Sequence, residues 1–342
     1  MTERATGERA VRATVLGSGA WGTTFAAVLA DAGCDVTVWG RSAATCEQIA
    51  REHRNEAYLP GIRLPDGVTA TTDARAALAG ADVVAIAIPS QSARATLEPL
   101  RDAFPAGAVA VSLMKGVELA TDRRMSQVVA EALGLPDERV AVVSGPNLAR
   151  EIAQRQPTAT VVASSSDATA RLVAQACASS YFRPYTNDDV VGVELCGAVK
   201  NVIALAVGMS QGRGLGFNTM ATVITRGLVE ITRLGLALGA DADTFPGLAG
   251  MGDLMATCAS PDSRNHTLGV HLGQGMTLAQ AIEATGGTAE GVKSSRSVLE
   301  LATSVGVEMP ITAAVVQVVH EGLPVDRLAS LLLARPHKAE GV

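Results

Sequence analysis

The chain is constrained most by Gly17-Ser18-Gly19-Ala20-Trp21-Gly22, three glycines spaced G-x-G-x-x-G directly behind the apolar run Ala13 to Leu16. That run reads as a buried strand, and the apolar-periodic stretch Thr23 to Ala32 reads as the helix that follows. Each glycine has its own use. Gly17 suits the tight turn, Gly19 lets a pyrophosphate approach the backbone, and Gly22 lets helix and strand lie close. The helix start offers unpaired N–H groups and a partial positive charge, which favours an anion. A second strand, Asp35 to Trp39, follows Gly33 and completes a βαβ unit of about thirty residues. An ordinary glycine-rich turn needs none of that context, so a dinucleotide site is expected.

The end of the second strand bears on which dinucleotide. Val38-Trp39-Gly40-Arg41 carries no carboxylate, whereas NAD sites usually place one there for the ribose 2′-OH. Arg41 can pair with a 2′-phosphate, which points to NADP, or to NADP and NAD alike. The plain alternative is a solvated loop charge.

Downstream, further strands are expected at Val68–Thr71, Asp82–Ile88, Ala108–Ser112 and Val140–Ser144, then Thr160–Ala163 and Tyr181–Tyr185. Helices alternate with them, among them Ala43–Glu52, Ser90–Leu100, Thr121–Leu133 and Ala168–Ala178. Alternation of this kind gives an α/β, doubly wound, mostly parallel sheet covered on both faces. The texture changes near residue 190. No convincing strand follows, and Val191 to Met209 repeats apolar residues at helical spacing. Helices are expected over 218–239 and near 244–256, 264–273, 277–284, 290–305, 311–320 and 324–334. The chain therefore divides into a nucleotide-binding domain, 11–188, and an all-α domain, 189–336.

A length of 342 residues suits two domains. The net charge of −6 argues against a nucleic-acid surface. No apolar run is expected to approach the ~18 residues that a membrane span needs, and the polar first ten residues have no secretory pattern. The five cysteines form no C-x-x-C pair, and His266 and His271 stand five apart, so neither a disulfide framework nor a metal site is expected. These features fit a cytoplasmic chain. Homodimer formation is left open.

In a parallel sheet, ligands bind beyond the carboxyl ends of the strands. Lys115 follows a buried strand there and can deliver a charge to a carbonyl or phosphate. Gly145-Pro146-Asn147 opens a helix whose free N–H groups suit a substrate, or simply a well-made helix start. Lys200 is the sharper case. It sits mid-helix on a small, polar face with Gly197, Asn201, Ala204 and Gly208, as if lining a cleft. A lysine buried in a cleft has a lowered pKa and can exchange a proton with a carbonyl. Tight helix packing around a snorkelling lysine is the alternative. Asp253, in a glycine-flanked turn, suits either orienting a lysine or capping a helix. Ser263-Arg264-Asn265 brings an N-cap, a guanidinium and an amide together, a set suited to phosphate. Glu290, after two glycines, has no chemistry that its spacing alone reveals.

Taken together these segments resemble the bacterial NAD(P)H-dependent glycerol-3-phosphate dehydrogenase family over nearly the whole chain. The resemblance is carried by G-S-G-A-W-G, the Lys115-Gly116 pair, S-G-P-N-L-A-R-E, G-A-V-K-N-V-I-A, G-M-G-D-L, S-R-N and A-E-G, in order. It implies a Rossmann-type first domain and a second like the helical domain of 6-phosphogluconate dehydrogenases. It implies reversible hydride transfer between dihydroxyacetone phosphate and sn-glycerol 3-phosphate, feeding phospholipid synthesis. By motif, Lys200 falls on the proton-transfer lysine and Lys115 on a lysine touching cofactor and substrate. Gly145, Asn147, Asp253, Ser263, Arg264 and Asn265 fall on substrate positions. Ala20, Trp21, Arg41, Ala149, Arg264 and Glu290 fall on cofactor positions. Three residues depart from the family's pattern: Ala20 for a frequent Ser, Asn147 for Ser or Thr, and Thr288 for Val. Another β-hydroxyacid or 6-phosphogluconate-type dehydrogenase would share the two-part plan, and a nicotinamide-sensing regulator would need a basic DNA-binding module.

Overall fold

The computed structural model describes residues 9–119, 121–286 and 289–327. Its first half is one eight-stranded sheet in the order β3-β2-β1-β4-β5-β6-β7-β8. The strands are β1 (Arg12–Leu16), β2 (Asp35–Trp39), β3 (Val68–Thr71), β4 (Val83–Ile86), β5 (Val109–Ser112), β6 (Val140–Ser144), β7 (Thr158–Ala163) and β8 (Phe182–Asn187). The strand order reverses between β1 and β4, which pair in parallel from Ala13 opposite Val83 to Leu16 opposite Ile86. A reversal of this kind opens a crevice at the carboxyl ends of the two strands. The glycine turn and the Ile88-Pro89-Ser90 segment flank it.

β6 and β7 pair antiparallel, with Val142 opposite Ala163, and β7 and β8 are parallel. The helix expected to open at Gly145-Pro146-Asn147 is the short α6 (Ala149–Ala153) between β6 and β7, with Leu148 as its N-cap. It begins only at Ala149 because Gly145, at φ +144°, and the two residues after it are spent on the turn out of β6. The other helices of this half are α1 (Ala20–Asp31), α2 (Ala43–Glu52), α3 (Ala74–Leu78), α4 (Ala93–Leu97), α5 (Met125–Leu133) and α7 (Asp167–Cys177). α1 begins at Ala20, not Thr23, because the turn ends as soon as Gly19 caps it. The expected helix over Ser90–Leu100 is instead α4 between two 3-10 segments, Ser90–Ser92 and Glu98–Ala103, the second with Pro99 in its first turn. α5 starts four residues later than expected, at Met125.

The second half is helical: α8 (Val190–Gly212), α9 (Phe217–Ala237), α10 (Asp253–Ala259), α11 (Arg264–Gly273), α12 (Leu278–Ala284), α13 (Glu290–Ser304) and α14 (Pro310–Glu321). The single helix expected near 244–256 is a 3-10 turn, a π turn over Leu248–Gly252 and the start of α10. Of the helix expected over 324–334, residues 328–334 lie outside the described residues, as does Thr288.

α8 is the hub of the helical core, with Leu195, Val199, Val202 and Ile203 all buried among its neighbours. It corrects one expectation. By length and composition α8 is apolar enough to cross a membrane, yet 89% of its most apolar window is buried inside the molecule. Its small face divides in two. Around Gly208 it lies backbone to backbone against α11: a Cβ on Gly208 would lie 2.1 Å from the His266 carbonyl oxygen, and one on Gly269 would lie 2.4 Å from that of Leu205. There the small residues serve packing. Around Gly197 the same face meets the Lys115 stem and Ser144 of the first half.

Candidate active site

The glycine turn is built as its spacing requires. Gly17 has φ of +127°, and a Cβ there would sit 2.3 Å from the Ala87 carbonyl oxygen. A Cβ on Gly22 would meet the Gly17 carbonyl oxygen at 2.1 Å, so α1 lies directly on the turn. A Cβ on Gly19 would meet nothing within 4 Å. The backbone there faces open space beside the start of α1, whose N–H groups no side chain caps, and this fits a pyrophosphate. Asn55, fully buried, donates to the Ser18 carbonyl at 3.0 Å and to Thr23 Oγ1 at 2.8 Å, which pins the turn from behind.

The remaining cofactor candidates surround this turn unevenly. Ala20 and Trp21 begin α1, half-buried, and the Trp21 Nε1 is buried without a partner. Arg41 is exposed just beyond β2 and has no carboxylate partner among the described residues. Ala149 opens α6, and its carbonyl accepts from Thr24 Oγ1 at 3.1 Å, which ties α6 to α1. Glu290 opens α13, and its carboxylate accepts from Ser90 Oγ at 2.9 Å across the two halves.

The charged centre lies where the halves meet. Asp253, 1% exposed, accepts from Lys115 Nζ at 2.7 Å through one oxygen and from Lys200 Nζ through the other. Lys115 Nζ also donates to the Gly145 carbonyl at 3.2 Å. Lys200 Nζ also donates to Thr257 Oγ1 at 2.6 Å. A carboxylate this buried needs charged partners. Burial pushes the Lys200 ammonium below the ordinary lysine range; Asp253 opposes that shift and the like charge of Lys115 adds to it. The π turn presents Asp253 as the first residue of α10, with Gly252 at the N-cap. The Asp253 carboxylate caps no backbone N–H of α10 and is spent on the two lysines and Thr257. Thr257, one helical turn on, escaped the sequence reading; its only signal was the i, i+4 spacing from Asp253.

The phosphate candidates adjoin Lys200 through a chain of amides. Asn265 Nδ2 donates to Asn201 Oδ1 at 3.0 Å, and Asn265 Oδ1 accepts from the Gly291 N–H at 2.8 Å. Part of its bonding capacity therefore joins α8, α11 and α13. Ser263 caps α11 by accepting from the His266 N–H at 3.3 Å. Arg264 is exposed and its guanidinium has no ion-pair partner among the described residues. Asn147 turns its amide onto Thr160 Oγ1 at 3.0 Å, and its own Oδ1 is buried without a partner. The site thus joins Lys115, Gly145, Lys200 and Asp253 directly and reaches Asn265 through Asn201, while Arg264 and Arg41 are both exposed.

The chain is similar to known proteins over nearly its whole length. A family model described as NAD-dependent glycerol-3-phosphate dehydrogenase N-terminus matches residues 12–170, and the corresponding C-terminus model matches residues 189–330. The chain is 58% identical over 330 residues to a glycerol-3-phosphate dehydrogenase [NAD(P)+] of Streptomyces griseus, covering 96% of this chain and 98% of that one. It is 57% identical to the one of Thermobifida fusca over the same shares. Among solved structures, the glycerol-3-phosphate dehydrogenase of Coxiella burnetii is 37% identical with a TM-score of 0.90, covering 95% of this chain and 99% of that chain.

Proposed function

The chain belongs to the NAD-dependent glycerol-3-phosphate dehydrogenase family, and from that membership we propose how its residues divide the work. The chain is an NAD(P)-dependent oxidoreductase that interconverts dihydroxyacetone phosphate and sn-glycerol 3-phosphate. The nicotinamide group, when bound, supplies or accepts the hydride.

The glycine turn receives the pyrophosphate, Ala20 and Trp21 line its far side, and Arg41 faces the adenosine 2′ position. Ala149 and Glu290 border the nicotinamide end. Ser263, Arg264 and Asn265 grip the substrate phosphate from the helical half; Gly145 and Asn147 border the substrate from the sheet. Lys200 donates its proton to the carbonyl oxygen during reduction and takes it back during oxidation. Lys115 stabilises the negative charge that develops on that oxygen, and Asp253 orients both ammonium groups. Holding the substrate between two domains in this way can contribute up to about 7–11 kcal/mol of barrier lowering.

The observation that carries this reading is the convergence of Lys115 and Lys200, one from each half, on Asp253. We divide the halves at residue 188, place the protein in the cytoplasm, in keeping with its five free buried cysteines, and assign its product to phospholipid synthesis. A homodimer is the proposed assembly. The test is the loss of reduced-nicotinamide absorbance with dihydroxyacetone phosphate, run with NADPH and NADH in turn. No turnover with either would remove the reading.

A further inference from the structure

Glu194 lies on α8 six residues before Lys200, about 9 Å along the axis at 1.5 Å per residue. Its side chain is 5% exposed. The carboxylate accepts from Arg124 Nη1, from Ser126 Oγ and, at 2.7 Å, from the Ser126 N–H. Arg124 is the N-cap of α5 and Ser126 its second residue. A buried acid of the helical half is therefore seated on the positive end of a helix of the nucleotide half.

Three positions of α8 do distinct jobs. Glu194 fixes the helix to α5. Gly197 then brings it against the Lys115 stem and Ser144, where a Cβ would lie 2.8 Å from Ser144 Oγ. Lys200 follows on the next turn and reaches Asp253. The contact at 194 sets how far α8 slides or rotates against the sheet, and that fixes where the Lys200 ammonium stands relative to Lys115. Glu194 touches none of the candidate ligand-binding residues, and a hydrophobic residue would fill a buried helix position without needing three polar partners.

We infer that Glu194 is a positioning residue for proton transfer: its seat on Arg124 and Ser126 holds Lys200 in register with Lys115 and Asp253. The inference rests on Lys200 as the proton-transfer group. A displacement of about 1 Å in a catalytic group can cost 100-fold in rate. The test uses the full chain with dihydroxyacetone phosphate and NADPH, comparing Glu194→Gln, Arg124→Gln and their double variant. Each variant is checked for folding by circular dichroism and thermal melting. The expected result is a fall in kcat of about 10- to 100-fold, with KM for NADPH within about twofold of the parent. The double variant should lose little more than the worse single one, since both break one contact.

Unchanged kcat in folded Glu194→Gln overturns the inference. So does a loss that merely follows the folded fraction. Where Glu194→Gln does not fold, Ser126→Ala removes one hydroxyl only; a severalfold drop in kcat supports the inference and an unchanged kcat overturns it. Lys200→Ala separates the two readings. Near-normal turnover in Lys200→Ala removes the proton-transfer assignment itself; lost turnover there with unchanged kcat in Glu194→Gln removes only the positioning role.

Discussion

Lys115 and Lys200 come from opposite halves of the chain and donate to the two oxygens of one carboxylate, Asp253. The sharing leaves the pair with excess positive charge when both are protonated, in a place where burial favours neutral lysine. The proton transfer proposed for Lys200 draws on this excess charge.

Lys200→Ala is expected to lower kcat by at least about 100-fold, in the range for loss of general acid–base catalysis. The dissociation constant for NADPH should stay within about threefold, because the dinucleotide turn is untouched. Steady-state kinetics together with fluorescence titration of NADPH check both halves of that statement.

The lowered Lys200 pKa has a signed consequence. Reduction needs the protonated lysine, so its rate should fall as pH rises through the Lys200 pKa. Oxidation needs the neutral lysine, so its rate should rise over the same interval. Burial places this interval below the free lysine value of about 10.4. Lys115→Met removes a neighbouring positive charge and should move the interval up. Asp253→Asn removes the opposing negative charge and should move it down. Profiles of kcat against pH in both directions read these shifts.

Gly17 and Gly19 should fail differently. Gly17→Ala forces a side chain into φ of +127° against the Ala87 carbonyl, at a cost of about 1–3 kcal/mol for the backbone alone. Its melting temperature should drop. Gly19→Ala meets nothing within 4 Å and should melt like the parent. Its KM for both dinucleotides should rise by about tenfold or more, since the methyl group stands where the pyrophosphate approaches. Thermal melts beside cofactor titrations separate the two.

Arg41→Ala and Arg264→Ala divide the two phosphate duties. Loss of one charged hydrogen bond costs about 1.5–3 kcal/mol, or roughly 10- to 150-fold in binding. Arg41→Ala should raise KM for NADPH by that order and leave KM for NADH nearly unchanged. Arg264→Ala should raise KM for dihydroxyacetone phosphate with either cofactor. Each is read from initial rates with one substrate varied at a time.

Much of the plan was legible in the sequence because it is periodic. The strand–glycine–helix start, the buried runs at Val83–Ile86 and Val109–Ser112, and the helical second half all follow from spacing of apolar residues. The antiparallel β7 was not legible, since nothing in Thr158–Ala163 encodes the direction from which it arrives. Lys200 could be singled out because a lone lysine in an apolar helix is conspicuous. Thr257 and Glu194 could not: the first looks like any helical threonine, and the second depends on a contact with Ser126, 68 positions away. Asp253 was ambiguous between a cap and an acid for lysine; it is the latter, and the π turn that brings it to the lysines has no signature of its own.

The meeting of α8 and α11 at Gly208 and Gly269 works as a ruler made from missing atoms. The two helices run in the same direction, Asn201 beside Asn265 and Gly212 beside Gly273. Adding a single methyl group to any of these glycines would wedge the helices apart and carry the Arg264 end away from Lys200. With the phosphate grip proposed at Arg264, the reach from that grip to the Lys200 ammonium is set by this backbone contact between α8 and α11.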